Sequence, residues 1–148
     1  MSFIIRTGTL GELMQVNLKI PEFDREVTQD KFKARLDGKD YLILVACSSS
    51  DPIAYKVGYA VSPTEFYSWM GGVVPDYRKK GVATKLRRAQ ELWAANNHYC
   101  SISVKSMNRY PAMLQLLISS GYKICGYEDQ GCENNSKIKF VKSLVSKV

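Results

Sequence analysis

Histidine occurs once in this chain of 148 residues, at His98, and the four cysteines, Cys47, Cys100, Cys125 and Cys132, form no Cys-x-x-Cys pair. A structural zinc site needs four N or S ligands at short spacings, and a disulfide scaffold needs dense cysteines, so both are excluded. The thiols are expected to be reduced, no metal is expected, and His98, outside every motif, reads as structural. Long apolar runs are missing too. The longest, residues 41–47, is far short of a membrane span, and Met1-Ser-Phe-Ile-Ile-Arg has no basic segment followed by an apolar stretch. A soluble, cytoplasmic protein with no membrane partner is expected. No internal repeat or low-complexity stretch interrupts the chain.

What is present supports one compact domain over residues 1–148, with 45% hydrophobic residues and a formal net charge of +7. The charge favours anionic partners without selecting among them. Residues 2–6 read as a strand. Thr9 with Glu12 forms a capping-box pattern ahead of the helical stripe Leu10, Leu13, Met14 and Leu18, which Pro21 ends. Thr28 caps a second short helix carrying Phe32 and Leu36, broken at Asp37-Gly38. Strands follow at 41–47, 53–62 and 65–74, with connections short enough for antiparallel neighbours. A helix over 81–96 has Val82, Ala83, Leu86, Ala89, Leu92 and Trp93 on one face. A strand at 98–105, a helix at 111–120, and strands at 122–128 and 137–145 complete the order βααβββαβαββ. That order predicts an α/β (α+β) fold with a mixed, mostly antiparallel central sheet and helices on both faces.

The chemistry concentrates between residues 65 and 84. Gly71 and Gly72 interrupt the aromatic strand Phe66-Tyr67-Ser68-Trp69-Met70, which predicts a bulge or a close backbone approach by a ligand. The strand then runs through Val74-Pro75-Asp76-Tyr77-Arg78-Lys79-Lys80-Gly81-Val82-Ala83 into the long helix. A basic, glycine-bearing turn at a helix start aims N–H groups and cations at one spot, where a phosphate fits.

Val73, Pro75, Tyr77, Arg78, Gly81 and Ala83, with the downstream strand ending near Asn108 and the helix closing on Gly121-Tyr122, resemble the GNAT superfamily of acyl-CoA-dependent N-acyltransferases. The resemblance implies acetyl-CoA as cosubstrate, an amine acceptor, and direct acetyl transfer. It implies that Arg78, Lys79, Lys80, Gly81, Val82, Ala83 and Thr84 cradle the pyrophosphate. Gly72, Val73 and Val74 would pair with the pantetheine arm, a strand N–H would face the thioester carbonyl, and Asn108 would contact the arm.

The sequence departs from that pattern at the catalyst. Where many members carry a proton-donating tyrosine, four residues before Gly121, this chain has Leu117, and Tyr110 is the substitute donor. The positions where members carry a base hold Tyr67 and Ser103, with Glu65 on the same strand face as Tyr67 but expected to be solvated. Acidic residues Glu22, Asp24, Glu26, Asp129 and Glu133 either attract a cationic amine or serve only solubility. Two other readings compete. Arg78-Lys79-Lys80 with Lys85, Arg87 and Arg88 suits a nucleic-acid footprint, which leaves the glycines unexplained; a CoA binder without turnover suits the missing catalysts. A final strand capable of edge pairing makes a homodimer compatible with the sequence.

Overall fold

The computed structural model describes residues 2–21 and 28–144, so the acidic residues Glu22, Asp24 and Glu26 lie outside the described residues. The strands are β1 (Ile4–Thr7), β2 (Tyr41–Ser48), β3 (Asp51–Ala60), β4 (Glu65–Val73), β5 (Ser101–Met107), β6 (Lys123–Glu128) and β7 (Lys137–Ser143). The helices are α1 (Leu10–Leu18), α2 (Gln29–Leu36), α3 (Val82–Asn96) and α4 (Pro111–Ser119). A 3-10 turn, Pro75–Tyr77, links β4 to α3. The element order is the expected one.

Local chemistry explains the helix starts. Thr9 Oγ1 accepts the Glu12 N–H at 3.1 Å, and Glu12 Oε1 accepts the Thr9 N–H at 3.1 Å and an Arg6 N–H at 3.0 Å. Two donors orphaned by the start of α1 are thereby satisfied, and an anion stands at the positive end of its dipole. Thr28 satisfies one such donor for α2, accepting the Lys31 N–H at 3.3 Å.

The strands form one sheet in the order β1-β2-β3-β4-β5-β7-β6, antiparallel throughout except for the β4–β5 pair. The last strand is therefore not an edge. β7 inserts between β5 and β6, which removes the edge-pairing argument for a homodimer built on it and leaves β1 and β6 as the edges.

α1 and α2 cover one face, where Leu13, Val16, Ile20, Phe32 and Leu36 pack on Ile43, Val45, Tyr55 and Val57. α3 and α4 cover the other, where Val82, Leu86, Ala94 and Leu117 pack on Leu44, Phe66, Ile102 and Phe140. The inner stripe of α3 is Val82, Leu86, Gln90 and Ala94, whereas Leu92 is exposed. A polar residue in that stripe hid the true phase of the helix from a purely apolar pattern.

Replacing Thr9 with Ala removes half of the reciprocal cap and should destabilise the fold by about 1 kcal/mol. Urea unfolding is expected to show a lower midpoint at unchanged slope; an unmoved midpoint would mean the box contributes nothing.

Candidate active site

β4 and β5 pair only between Glu65–Ser68 on one strand and 101–104 on the other. Beyond that, β4 stays on β3 as far as Val73 and β5 stays on β7 as far as Met107, so the two diverge and leave a wedge-shaped opening. The ladder between β3 and β4 shifts register where Gly58 pairs with Ser68 and Val57 with Met70, making Trp69 the bulged residue. The expected bulge thus sits at Trp69, not at Gly71-Gly72, whose pairing with Lys56 and Tyr55 is regular. Gly58 is what permits it. A Cβ there would stand 2.5 Å from the Tyr67 carbonyl oxygen and 2.6 Å from the Phe66 ring.

Val74 N–H donates to the Ile53 carbonyl at 2.9 Å. By antiparallel alternation the Gly72 backbone also faces β3, while the N–H and C=O groups of Gly71 and Val73 point into the opening. Of the three strand residues expected on the cofactor, Val73 turns its N–H toward the opening, Gly72 faces β3, and Val74 donates to β3 while its carbonyl accepts the Tyr77 N–H at 2.9 Å.

At the wide end of the wedge, Arg78 Nε donates to the Val73 carbonyl at 3.0 Å, drawing the turn over the strand end. Lys79 has φ +62° and Gly81 has φ +81°, so the chain alternates hand just before α3 and turns successive N–H groups inward. Gly81 is required by its backbone angle rather than by crowding, since an added Cβ would meet nothing within 4 Å. It caps α3 without a side chain, and no acidic residue occupies the first turn. The N–H groups of Gly81, Val82, Ala83 and Thr84 precede the first intrahelical bond, which Lys85 makes to the Gly81 carbonyl at 3.1 Å. Lys80 lies over the Tyr77 ring at 6.0 Å, keeping its cation beside the turn. Such a helix start suits a phosphate.

Sequence reasoning missed a set of polar groups along the α3 side of β4. Ser68 Oγ, Arg87 Nε and both amide atoms of Gln90 are buried without a hydrogen-bond partner, and Gln90 is 0% exposed. Orphans of this kind cost about 1–3 kcal/mol each unless water or a ligand meets them. Lys56 joins them. It pairs across strands with Gly71, and its Nζ is 3.6 Å from where a Gly71 Cβ would stand, so the missing side chain lets the amine lean across β4. Burial lowers its pKa to about 8, with Arg87 adding to the effect and Glu91 opposing it. Glu91 accepts from Arg87 at 3.0 Å, Tyr122 Oη at 2.7 Å and Lys142 at 3.0 Å. Desolvation pushes its carboxyl up, but those three hydrogen bonds outweigh it and hold the pKa below the ordinary value.

The opposite face, under α1 and α2, carries a second group. Ser103 Oγ donates to Glu65 Oε2 at 2.8 Å and Lys139 pairs with the same oxygen at 3.2 Å, so Glu65 is partly buried and engaged rather than solvated as expected. Lys105 pairs with Glu128 at 2.7 Å and lies over the Tyr67 ring at 5.7 Å. Burial, with Tyr59 adding to it, raises the Tyr67 phenol to about 12; it stays protonated at neutral pH and can donate a hydrogen bond but not act as a base.

Other expected residues are placed as follows. The Asn108 amide donates to the Glu133 carbonyl at 3.2 Å, tying the end of β5 to the β6–β7 loop. Tyr110 is 52% exposed at the start of α4. Leu117 is 4% exposed in the core. Asp129 accepts the Gly131 N–H at 2.8 Å within its own loop. His98 is an exposed turn residue with φ +72° after α3. Among the described residues no three His, Cys, Asp or Glu side chains gather to hold a metal, and no helix is long and apolar enough to cross a membrane.

No protein-family model matches the sequence, and no curated protein matches it. Solved structures do. The chain is similar to the ribosomal-protein-S18-alanine N-acetyltransferase from Escherichia coli, at 14% identity and TM-score 0.84 over 99% of this chain and 97% of that one. It is similar to the PaiA N-acetyltransferase from Thermoplasma acidophilum in complex with coenzyme A, at 15% identity and TM-score 0.75 over 97% and 99%. It is also similar to a GNAT family acetyltransferase from Elizabethkingia anophelis with acetyl-CoA bound, at 15% identity and TM-score 0.76 over 95% and 97%. The fold is that of the GNAT acetyltransferases. Identities this low carry the fold and leave the chemistry to the site itself.

Lys56 supplies a test of the polar groups behind β4. Its folded pKa of about 8 lies below the free value of 10.5, so holding its proton opposes folding below pH 8, and that cost disappears as pH rises from about 8 to 10.5. Relative to Lys56→Met, the wild type should gain stability between pH 7 and pH 10 in urea titrations. A pH-independent difference would place the amine in water.

Proposed function

We propose that this protein is an acetyl-CoA-dependent N-acetyltransferase that moves the acetyl group directly to a primary amine in a ternary complex, with no covalent enzyme intermediate. The observation that carries the reading is the wedge between β4 and β5 opening onto the basic start of α3, where no side chain caps the helix. An extended molecule with an anionic end fits it.

Acetyl-CoA supplies an activated acyl group as a thioester whose carbonyl is open to an amine. The chain supplies position and polarity. Residues 78–84 hold the pyrophosphate through backbone N–H groups and the Arg78, Lys79 and Lys80 cations, with Asn108 on the far wall. The Gly71 backbone and the Val73 N–H would pair with the pantetheine amides as an added strand, and the Trp69 bulge would supply an N–H for the acyl oxygen. On the acceptor side the neutral Tyr67 hydroxyl orients the amine, and Glu65, bonded to Ser103, takes its proton through water. Tyr110 returns a proton to the departing sulfur.

A CoA binder without turnover is the second reading, favoured by one observation: Glu65 and Glu128 are already paired with lysines and Leu117 is sealed in the core. Nucleic acid is disfavoured, because Arg78 and Arg87 are bonded to Val73 and Glu91 and Trp69 lies under α2 against Phe32.

Acetyl-CoA at a hundredfold above its Kd should stabilise the protein by about 2.7 kcal/mol, several degrees in a thermal melt. A duplex oligonucleotide at two salt concentrations should not. Salt-sensitive DNA stabilisation without an acetyl-CoA shift would overturn the reading. Gly81→Val forces a β-branched residue to φ +81°, so it should cost about 1–2 kcal/mol and abolish the acetyl-CoA shift. Tyr110→Phe should lower kcat by about tenfold or more with the shift retained; undiminished release of free CoA thiol would remove Tyr110 from the mechanism.

A further inference from the structure

The acceptor face is polarised in a way the acidic loops did not suggest. Arg35, on the last turn of α2, holds its guanidinium carbon 4.8 Å over the Trp69 ring and donates from NH1 to Tyr59 Oη at 3.0 Å. Trp69 is the bulged residue at the vertex of the wedge, and its ring packs on Phe32 at 5.1 Å and on Tyr59 at 5.9 Å. Lys39 lies 5.2 Å over the Tyr59 ring and donates to the Arg35 carbonyl at 2.6 Å. Neither Arg35 nor Lys39 has a carboxylate within ion-pair distance among the described residues. Across the same face Lys105 pairs with Glu128 at 2.7 Å and Lys139 with Glu65 at 3.2 Å, and Lys137 stands opposite Glu128 on the neighbouring strand. Among the described residues, then, Arg35 stands on the α2 side without a carboxylate, and Glu65 and Glu128 stand on the far side among lysines, with the Trp69, Tyr59 and Tyr67 rings between.

We infer that the acceptor is a zwitterionic primary amine, an amino acid or a peptide N-terminus with a carboxylate close by, and that Arg35 holds its carboxylate while the amine faces Glu65 and Tyr67. This assignment rests on the acetyltransferase reading and narrows it. A guanidinium has five N–H donors in a planar fork, and the bond to Tyr59 uses one. The rest suit a carboxylate, which the fork grips bidentately. Stacking on Trp69 and the bond to Tyr59 already fix the side chain, so little further entropy is lost when an anion arrives. A polyamine has no group for Arg35 and would meet an uncompensated cation.

The test compares matched acceptors by release of free CoA thiol: alanine against ethylamine, phenylalanine against 2-phenylethylamine, and the peptide amide Ser-Glu-Ala against Ser-Gln-Ala, with spermidine alongside. The wild type should favour the carboxylate-bearing member of at least one pair by tenfold or more in kcat/KM, and which pair responds separates free amino acids from peptides. Arg35→Gln should erase that preference by raising KM for the carboxylate-bearing member about tenfold, leaving KM for acetyl-CoA and use of the uncharged member unchanged. Arg35→Lys, which keeps the charge and loses the fork, should fall between. Equal use of both members of every pair, preference for spermidine, or an Arg35→Gln loss shared by both members would overturn the assignment while leaving the acetyltransferase reading intact. Silence with every acceptor despite an acetyl-CoA thermal shift would overturn it too, in favour of the inactive binder. Absence of that shift in the wild type would overturn the enzymatic reading and the assignment with it.

Discussion

Four residue pairs of parallel ladder, between Glu65–Ser68 and residues 101–104, decide most of what this molecule can do. Each strand has a full-length antiparallel partner on its other side, so neither can follow the other once the two diverge. Extended backbone on both sides of a gap leaves donors and acceptors that the sheet does not use, an arrangement that water or a strand-like ligand must complete. The bulge at Trp69 turns β4 away where pairing stops, and the crossover helix α3 starts near the wide end of the gap. A backbone-lined slot and an electropositive helix start are thus products of one topological choice.

A split sheet needs closure at its vertex, and two glutamates provide it on opposite faces. Glu65 on β4 accepts from Ser103 on β5 and pairs with Lys139 on β7. Glu91 on α3 gathers Arg87, Tyr122 and Lys142, joining the crossover helix to the far half of the sheet. Charge-assisted bonds of this kind offset desolvation only when both carboxylate oxygens are met, as those of Glu91 are. Removing one donor leaves a partly buried charge short of partners, so these pins specify geometry more than they add net stability. Glu65 serves the closure first; any catalytic use of it must tolerate the lysine and serine already on the same oxygen.

Features encoded within a few residues of chain were legible in the sequence. The Thr9–Glu12 box, the Thr28 cap and the basic, glycine-bearing turn before α3 all appear where local chemistry places them. Features that depend on pairing across the chain were not. Nothing in residues 137–143 says that β7 inserts between β5 and β6. The register shift at Trp69 depends on Gly58 in the neighbouring strand, so a glycine pair at 71 and 72 drew attention two residues too far along. Gln90 in the inner stripe of α3, Lys56 leaning over Gly71, and Arg35 reaching Trp69 likewise join segments distant in sequence. Burial of polar groups is a tertiary property, and a hydrophobic pattern reads it as surface.

This division between local and assembled features also separates the two halves of the site. The turn proposed to bind the pyrophosphate occupies one continuous segment, residues 73–84, and its geometry follows from two positive φ angles and one helix start. The face proposed for the acceptor draws Arg35 from α2, Tyr59 from β3, Tyr67 and Trp69 from β4, Lys105 from β5 and Glu128 from β6. A change in any of those elements can alter charge or shape on that face without touching the turn. Leu117 illustrates the independence: it lies in the core with Tyr122, Ile138 and Phe140, where a hydroxyl would lack a place in an apolar cluster, yet the turn and wedge are fully formed. Under the proposed function, changes to the polarity of that face would alter the choice of amine without disturbing the turn.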